Sequence, residues 1–145
     1  MIRSYKEKDV LACQQLLLEL GYPSQIEELD ERLSSLLAQP DYELLVYEEE
    51  GQVLGLLGYA KMYFFERNGA YLRILALVVN SQYRHQGIAT ALLDRVRQIG
   101  KETGCQTLAL NSGLGEERQI AHRFYEHYGF EKTSVGFAYQ LGESY

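Results

Sequence analysis

Arg84-His85-Gln86-Gly87-Ile88-Ala89-Thr90 sets a guanidinium, a residue without a side chain and two small residues within seven positions. That combination suits an anion. The first N–H groups of a helix have no intrahelical acceptor and point out of its N-terminus, where the helix dipole adds roughly half a positive charge. A phosphate or pyrophosphate placed there is held mainly by main chain. The main chain must come close to the anion, which Gly87 permits. Ala89 and Thr90 leave the first turn open, and Arg84 adds charge at the rim. An ordinary helix start with a glycine has the same local spelling. The GxxxxGK spacing of a Walker loop and the GxGxxG of a dinucleotide fold are both absent.

Such a turn needs a buried strand before it and a helix behind it. "GAYLRILALVV" ends almost entirely apolar, as a central strand buried on both faces does. From Ile88 the apolar residues recur at the helical period, predicting a helix over residues 88–103 that Gly104 ends. Upstream, "MIRSYK" alternates like a short strand. Val10, Cys13, Leu16, Leu17 and Leu20 share one helical face, with Gly21 placed to end that helix. Ser24 and Glu27 form a capping-box pattern before a second helix carrying Ile26, Leu29, Leu33, Leu36 and Leu37, closed by Pro40. The period then changes. "YELLVYEEEGQVLGLLGYAKMYFF" reads as two strands joined tightly at Glu50-Gly51-Gln52. Beyond the glycine turn, "QTLALNS" is a strand and "GLGEER" a loop. "RQIAHRFYEHYGF" is a helix that stops at Gly129, and "EKTSVGFAYQL" is a closing strand or hairpin arm.

Hairpin strands pair antiparallel, whereas a strand–helix–strand passage over residues 72–111 implies a locally parallel pair. The expectation is one α+β domain over residues 1–145, a mixed, mostly antiparallel sheet with helices on its faces.

Composition narrows the function. The net charge is −6, and residues 1–60 carry twelve acidic side chains against four basic ones. Nucleic acid is not expected as a partner, because phosphate contacts need clustered Lys and Arg. No stretch approaches the roughly 20 apolar residues of a membrane helix, and "MIRSYKEKDV" lacks the apolar core of a signal peptide. Cys13 and Cys105 stand alone, which suits a reducing cytoplasm. His85, His122 and His127 show no metal-ligand spacing with them, so no metal is expected.

"RHQGIA" fits Arg/Gln-x-x-Gly-x-Gly/Ala, the pattern that the GNAT N-acetyltransferase superfamily places between its fourth strand and third helix. "LALVVNSQYRHQGIATALL" resembles that family's core motif along its whole length. "AHRFYEHYGF" resembles its second hallmark, a helix carrying Phe-Tyr and ending in Gly-Phe. The order of elements agrees as well, so the resemblance spans almost the whole chain.

The resemblance implies the GNAT acyl-CoA N-acyltransferase fold, with a splayed pair of parallel strands, and acetyl-CoA as co-substrate in the cleft between the fourth and fifth strands. Backbone groups of Leu77, Val78 and Val79 would pair with the pantetheine arm like an added strand. The pyrophosphate would take N–H groups across Arg84, His85, Gln86, Gly87, Ile88, Ala89 and Thr90. Asn111, at the end of the fifth strand, would hydrogen-bond the coenzyme arm or the substrate; a polar strand-end cap is the alternative. Tyr125 matches the tyrosine that many members use as general acid toward the departing thiolate. Phe124 beside it suits core packing, and Tyr128 is a lesser candidate for the same role.

The attacking amine must be neutral, so a proton must leave it. Histone-acetylating relatives use a Glu on the fourth strand; the matching position here is Arg73, which makes histone-type chemistry doubtful. Glu66, Glu116, Glu117 and His122 are the remaining titratable candidates, each also explained as a surface or packing residue. The acidic first segment, "ELGYPSQIEELDER", favours a cationic amine by electrostatic steering. Tyr63, Phe64, Phe65 and Tyr71 fit an acceptor pocket, a cation held by their ring faces, ordinary strand packing or the subunit interface of a homodimer. The reading that follows is an acetyl-CoA-dependent N-acetyltransferase acting on a primary amine of a small molecule or peptide by direct attack in a ternary complex. The alternative is a non-catalytic acyl-CoA-binding or sensor module on the same fold.

Overall fold

The computed structural model describes residues 1–115 and 118–142. They belong to two compact units, Met1–Leu110 and Asn111–Tyr145. The first unit runs β1 (Ile2–Ser4), α1 (Val10–Leu20), α2 (Ile26–Leu37), β2 (Tyr42–Glu49), β3 (Gln52–Tyr63), β4 (Ala70–Val79), α3 (Ile88–Glu102) and β5 (Leu108–Leu110). The sheet order is β1-β2-β3-β4-β5. The first three pairings are antiparallel, and β4 pairs with β5 in parallel. This is the mixed, mostly antiparallel α+β sheet with one parallel pair that the sequence leads one to expect.

Local chemistry explains most element ends. Glu50 and Gly51 both take left-handed conformations, φ 51° and 78°, which is what a two-residue hairpin between β2 and β3 demands. Gly21 ends α1 at φ 103°. The capping box expected at Ser24 does not form. The N-cap of α2 is Gln25, with no side-chain bond, and the Ser24 hydroxyl instead accepts from Arg32 at 3.0 Å. Arg32 takes that oxygen from about two turns along α2, which a short motif does not register.

The two faces of the sheet carry different helices. Cys13 and Leu16 of α1 and Leu29 and Leu33 of α2 share one core with Leu44, Val46, Leu56 and Val78. Adjacent strand residues point to opposite faces. Gly55, next to Leu56, accordingly faces α3, and a Cβ there would lie 3.0 Å from Ile88 Cγ2. Each fully buried leucine, such as Leu29 or Leu92, contributes about 2 kcal/mol by leaving water.

One charged cluster is built into this core's edge. Arg3 grips Asp9 with two hydrogen bonds, 2.7 and 2.9 Å, and reaches Glu48 at 2.6 Å. Asp9 is 4% exposed and also accepts from the Lys6 N–H at 2.8 Å, so its carboxylate is fully used.

The second unit contains α4 (Gln119–Tyr128), ended by Gly129 at φ 128°. The closing strand expected in "EKTSVGFAYQL" is not formed, and residues 131–142 carry no ladder. Its alternating Val135, Phe137, Tyr139 and Leu141 are exposed. Period-two alternation marks a face that suits a strand, but a strand exists only where a neighbour accepts its hydrogen bonds.

Candidate active site

The glycine turn is closed by a chain of main-chain bonds. Asn80 N–H donates to Leu54 O at 2.8 Å and Tyr83 N–H to Asn80 O at 2.9 Å. The Asn80 side chain accepts from Gln82 N–H at 3.0 Å. His85 and Gly87 then adopt φ 64° and 83°. The first intrahelical bond of α3 runs from Ala91 N–H to Gly87 O. The N–H groups of Ile88, Ala89 and Thr90 precede it and point out of the helix end. A Cβ on Gly87 would meet nothing within 4 Å. Glycine is therefore required here by backbone conformation, and the space in front of the helix is open, as an incoming phosphate needs. The side chains of Arg84, His85 and Gln86 are exposed, whereas Ile88 is buried and offers only its main chain.

A contact that no motif announces holds this turn. Glu19 of α1 accepts from Ser81 twice, from the N–H at 3.0 Å and from the hydroxyl at 3.1 Å.

The cleft leading to the turn is formed by β4 parting from β5. Their register covers Leu72, Arg73 and Ile74 opposite Leu108, Ala109 and Leu110 and goes no further. Directly after Ile74, the β3–β4 register skips Leu75, the bulged residue. Leu77, Val78 and Val79 pair with Leu57, Leu56 and Gly55 along one edge. Within the first unit no strand pairs with their other edge, which is free to receive an extended chain. The apolar run is thus not evenly buried. Val78 and Val79 are in the core, Leu77 is half-buried and Leu75 is 52% exposed, because β5 has already moved away.

The aromatic cluster divides. Phe64 and Tyr71 stack with centroids 5.0 Å apart, and the Arg67 guanidinium lies 3.9 Å over the Phe64 ring. With Arg73 and Ala109 they line an open cleft of about 340 Å³. Phe65 is fully exposed. Glu66 lies in the same cleft, 3.9 Å from Arg67 and largely solvated.

Within the second unit, Tyr125 sits beside Phe124 at 5.6 Å and edge-on to Phe130 at 5.8 Å between centroids. Burial raises its phenol above the ordinary value, partly offset by Arg118, so it stays protonated and able to donate. Tyr128 also meets Phe130 at 5.8 Å. His122 Nε2 is tied to Gly113 O at 2.8 Å, which gives it a local structural partner. Asn111 is exposed, directly after β5. Glu116 and Glu117 lie outside the described residues.

Among the described residues, no cluster of metal-ligating side chains occurs and no helix is long and apolar enough to cross a membrane. The model of the Acetyltransferase (GNAT) family matches residues 10–130. N-acetyltransferase 8 of Rattus norvegicus is 33% identical over 92 residues, 63% of this chain and 40% of that protein. The chain therefore spans well under half of that relative. Aminoglycoside N(6')-acetyltransferase type 1 of Acinetobacter genomosp. 13 is 29% identical over 122 residues, covering 81% of this chain and 82% of that one. A GNAT family acetyltransferase of Staphylococcus aureus superposes with a TM-score of 0.84 at 32% identity, over 97% of this chain and 98% of the other.

Proposed function

This chain belongs to the GNAT family of acetyltransferases, and we propose that it moves the acetyl group of acetyl-CoA to the primary amine of a small molecule or peptide. The observation that carries this reading is the free edge of β4 beyond Ile74 leading straight into the Gly87 turn. An extended pantetheine arm suits that edge, through the main chain of Leu77, Val78 and Val79. A pyrophosphate suits the N–H groups from Arg84 to Thr90. Both compact units form one acetyltransferase domain in this reading, acting in the cytoplasm.

In the transfer, the neutral amine nitrogen attacks the thioester carbonyl carbon. A C–N bond forms and the C–S bond breaks. Tyr125 gives its phenolic proton to the departing sulfur, and the amine's own proton, released through water, restores the phenol. The products are an amide and free coenzyme A. Asn111 hydrogen-bonds the coenzyme arm. No carboxylate is assigned as base. The acidic segment before and within α2 draws in an amine that arrives as a cation, and the name of the aminoglycoside relative supports an amine acceptor.

Calorimetry with acetyl-CoA, followed by an amine panel read by thiol release, tests the proposal. Absence of acetyl-CoA binding by folded protein overturns it. A second reading, a non-catalytic acyl-CoA sensor, is motivated by Arg73 standing where histone-acetylating relatives carry a Glu. Binding without turnover of any amine supports that reading.

A further inference from the structure

We propose that the acceptor amine also carries a carboxylate, and that Arg73 receives it beside the stacked rings of Phe64 and Tyr71. This rests on the transferase reading and names the substrate class of its site. Arg73 is half-buried on β4, with Ala60 opposite it on β3 and Ala109 opposite it on β5. The small Ala109 leaves room beside its long side chain, and both line the cleft of about 340 Å³.

Among the described residues its guanidinium has no carboxylate or other hydrogen-bond partner. The contrast with Arg3 is internal to the chain. Where an arginine is withdrawn from water for structure, Asp9 and Glu48 neutralise it. Arg73 is half-buried and opens onto the cleft, and its planar fork fits a carboxylate through two parallel hydrogen bonds. Arg67, held over Phe64, adds a second guanidinium to the cleft. Among the described residues lining the cleft the one carboxylate is Glu66, 68% exposed and 3.9 Å from Arg67, so the balance there favours an incoming anion.

The position also suits the chemistry. Arg73 is one residue before Ile74, the last residue of β4 that β5 pairs. An anion held by Arg73 sets the amine attached to it at the mouth of the coenzyme cleft. The apolar body of the acceptor lies against Phe64 and Tyr71, whose rings exclude water and strengthen the ion pair. A purely cationic acceptor, such as a polyamine or an aminoglycoside, places like charge against both arginines.

The test compares matched acceptors. Free amino acids, their carboxamides, spermidine and an aminoglycoside are each assayed for thiol release with acetyl-CoA, using wild type, Arg73→Gln and Arg73→Lys. Acids are expected to exceed their amides at least tenfold in kcat/KM. Arg73→Gln is expected to remove most of that preference through KM, with acetyl-CoA affinity unchanged, and Arg73→Lys to restore part of it. Acceptance of amides or cationic amines as readily as acids overturns the proposal and leaves the transferase reading standing. Equal losses on acids and amides in Arg73→Gln overturn it too. Binding of acetyl-CoA with no amine turned over removes both.

Discussion

Glu19 on α1 and Ser81 in the turn after β4 are joined by two hydrogen bonds, although 62 positions separate them in the chain. The pair ties the last turn of α1 to the main chain that leads into Gly87. Loss of Glu19 therefore acts on the turn and not on the core, since its side chain is exposed. Two such bonds at a solvated site contribute about 1 kcal/mol. Glu19→Ala should raise the acetyl-CoA Kd about fivefold, by that figure, with little change in Tm. Ser81→Ala keeps the N–H bond and loses only the hydroxyl's, so it should raise the Kd only about twofold, and the double variant should be no worse than Glu19→Ala alone. Additive losses in calorimetry would show that the two residues act independently.

Gly55 and Gly58 on β3 offer a paired test of how closely α3 seats. A Cβ at Gly55 would lie 3.0 Å from Ile88 Cγ2 and 3.3 Å from Val78 O, whereas one at Gly58 finds its nearest neighbour at an ordinary 3.8 Å. Gly55→Ala should cost about 2 kcal/mol and weaken acetyl-CoA binding, because Ile88 opens the helix whose N-terminus binds the pyrophosphate. Gly58→Ala should be tolerated. Denaturant melts and calorimetry of both variants decide this, and equal stability would refute the close seating.

Tyr125→Phe keeps the ring contacts with Phe124 and Phe130 and removes only the hydroxyl. Turnover should fall about 100-fold, with acetyl-CoA affinity unchanged. The wild-type phenol is held above its ordinary value of 10.0 by burial. The acid form therefore persists past pH 10, and Tyr125 should contribute no falling limb to the rate profile below that pH. A limb near neutrality that vanishes in Tyr125→Phe would contradict this.

Acid stability should report on Asp9. The hydrogen bonds from Arg3 hold its carboxyl below the ordinary value of 3.8, against the opposing effect of burial. A lowered folded value stabilises the native state above the unfolded value. That contribution is lost as pH falls through the folded value. Stability should thus be level from neutral pH to about 5, near the ordinary aspartate range, and decline below it. Asp9→Asn should cost roughly 3–5 kcal/mol at neutral pH, the range for breaking a buried pair, and flatten the acid decline. An unchanged acid limb would remove Asp9 from this role.

What the sequence reveals about this molecule is mostly what periodicity can report. The helical spacing from Ile88 marks α3 to within a residue, and the apolar run before it marks β4, because both patterns arise from local burial. The bulge at Leu75 and the parting of β5 after Leu110 leave no local trace, since each depends on a neighbouring strand. The same reason explains the failure at residues 131–142, where alternation occurs without a ladder. The site is legible to the same extent. Gly87 stands out by its type at a strand–helix turn, and Arg73 by its place in a motif. Glu19 with Ser81, and Arg3 with Glu48, are contacts between distant segments that no spacing rule reaches.

The most direct measurement is calorimetric titration of acetyl-CoA into wild type and Gly87→Glu, with thermal melts confirming that both are folded. The free edge of β4 and the open end of α3 predict binding to wild type. They also predict none to the variant, whose side chain brings bulk and negative charge to the pyrophosphate position. Failure of folded wild type to bind, or undiminished binding by Gly87→Glu, would contradict the placement of the coenzyme at this turn.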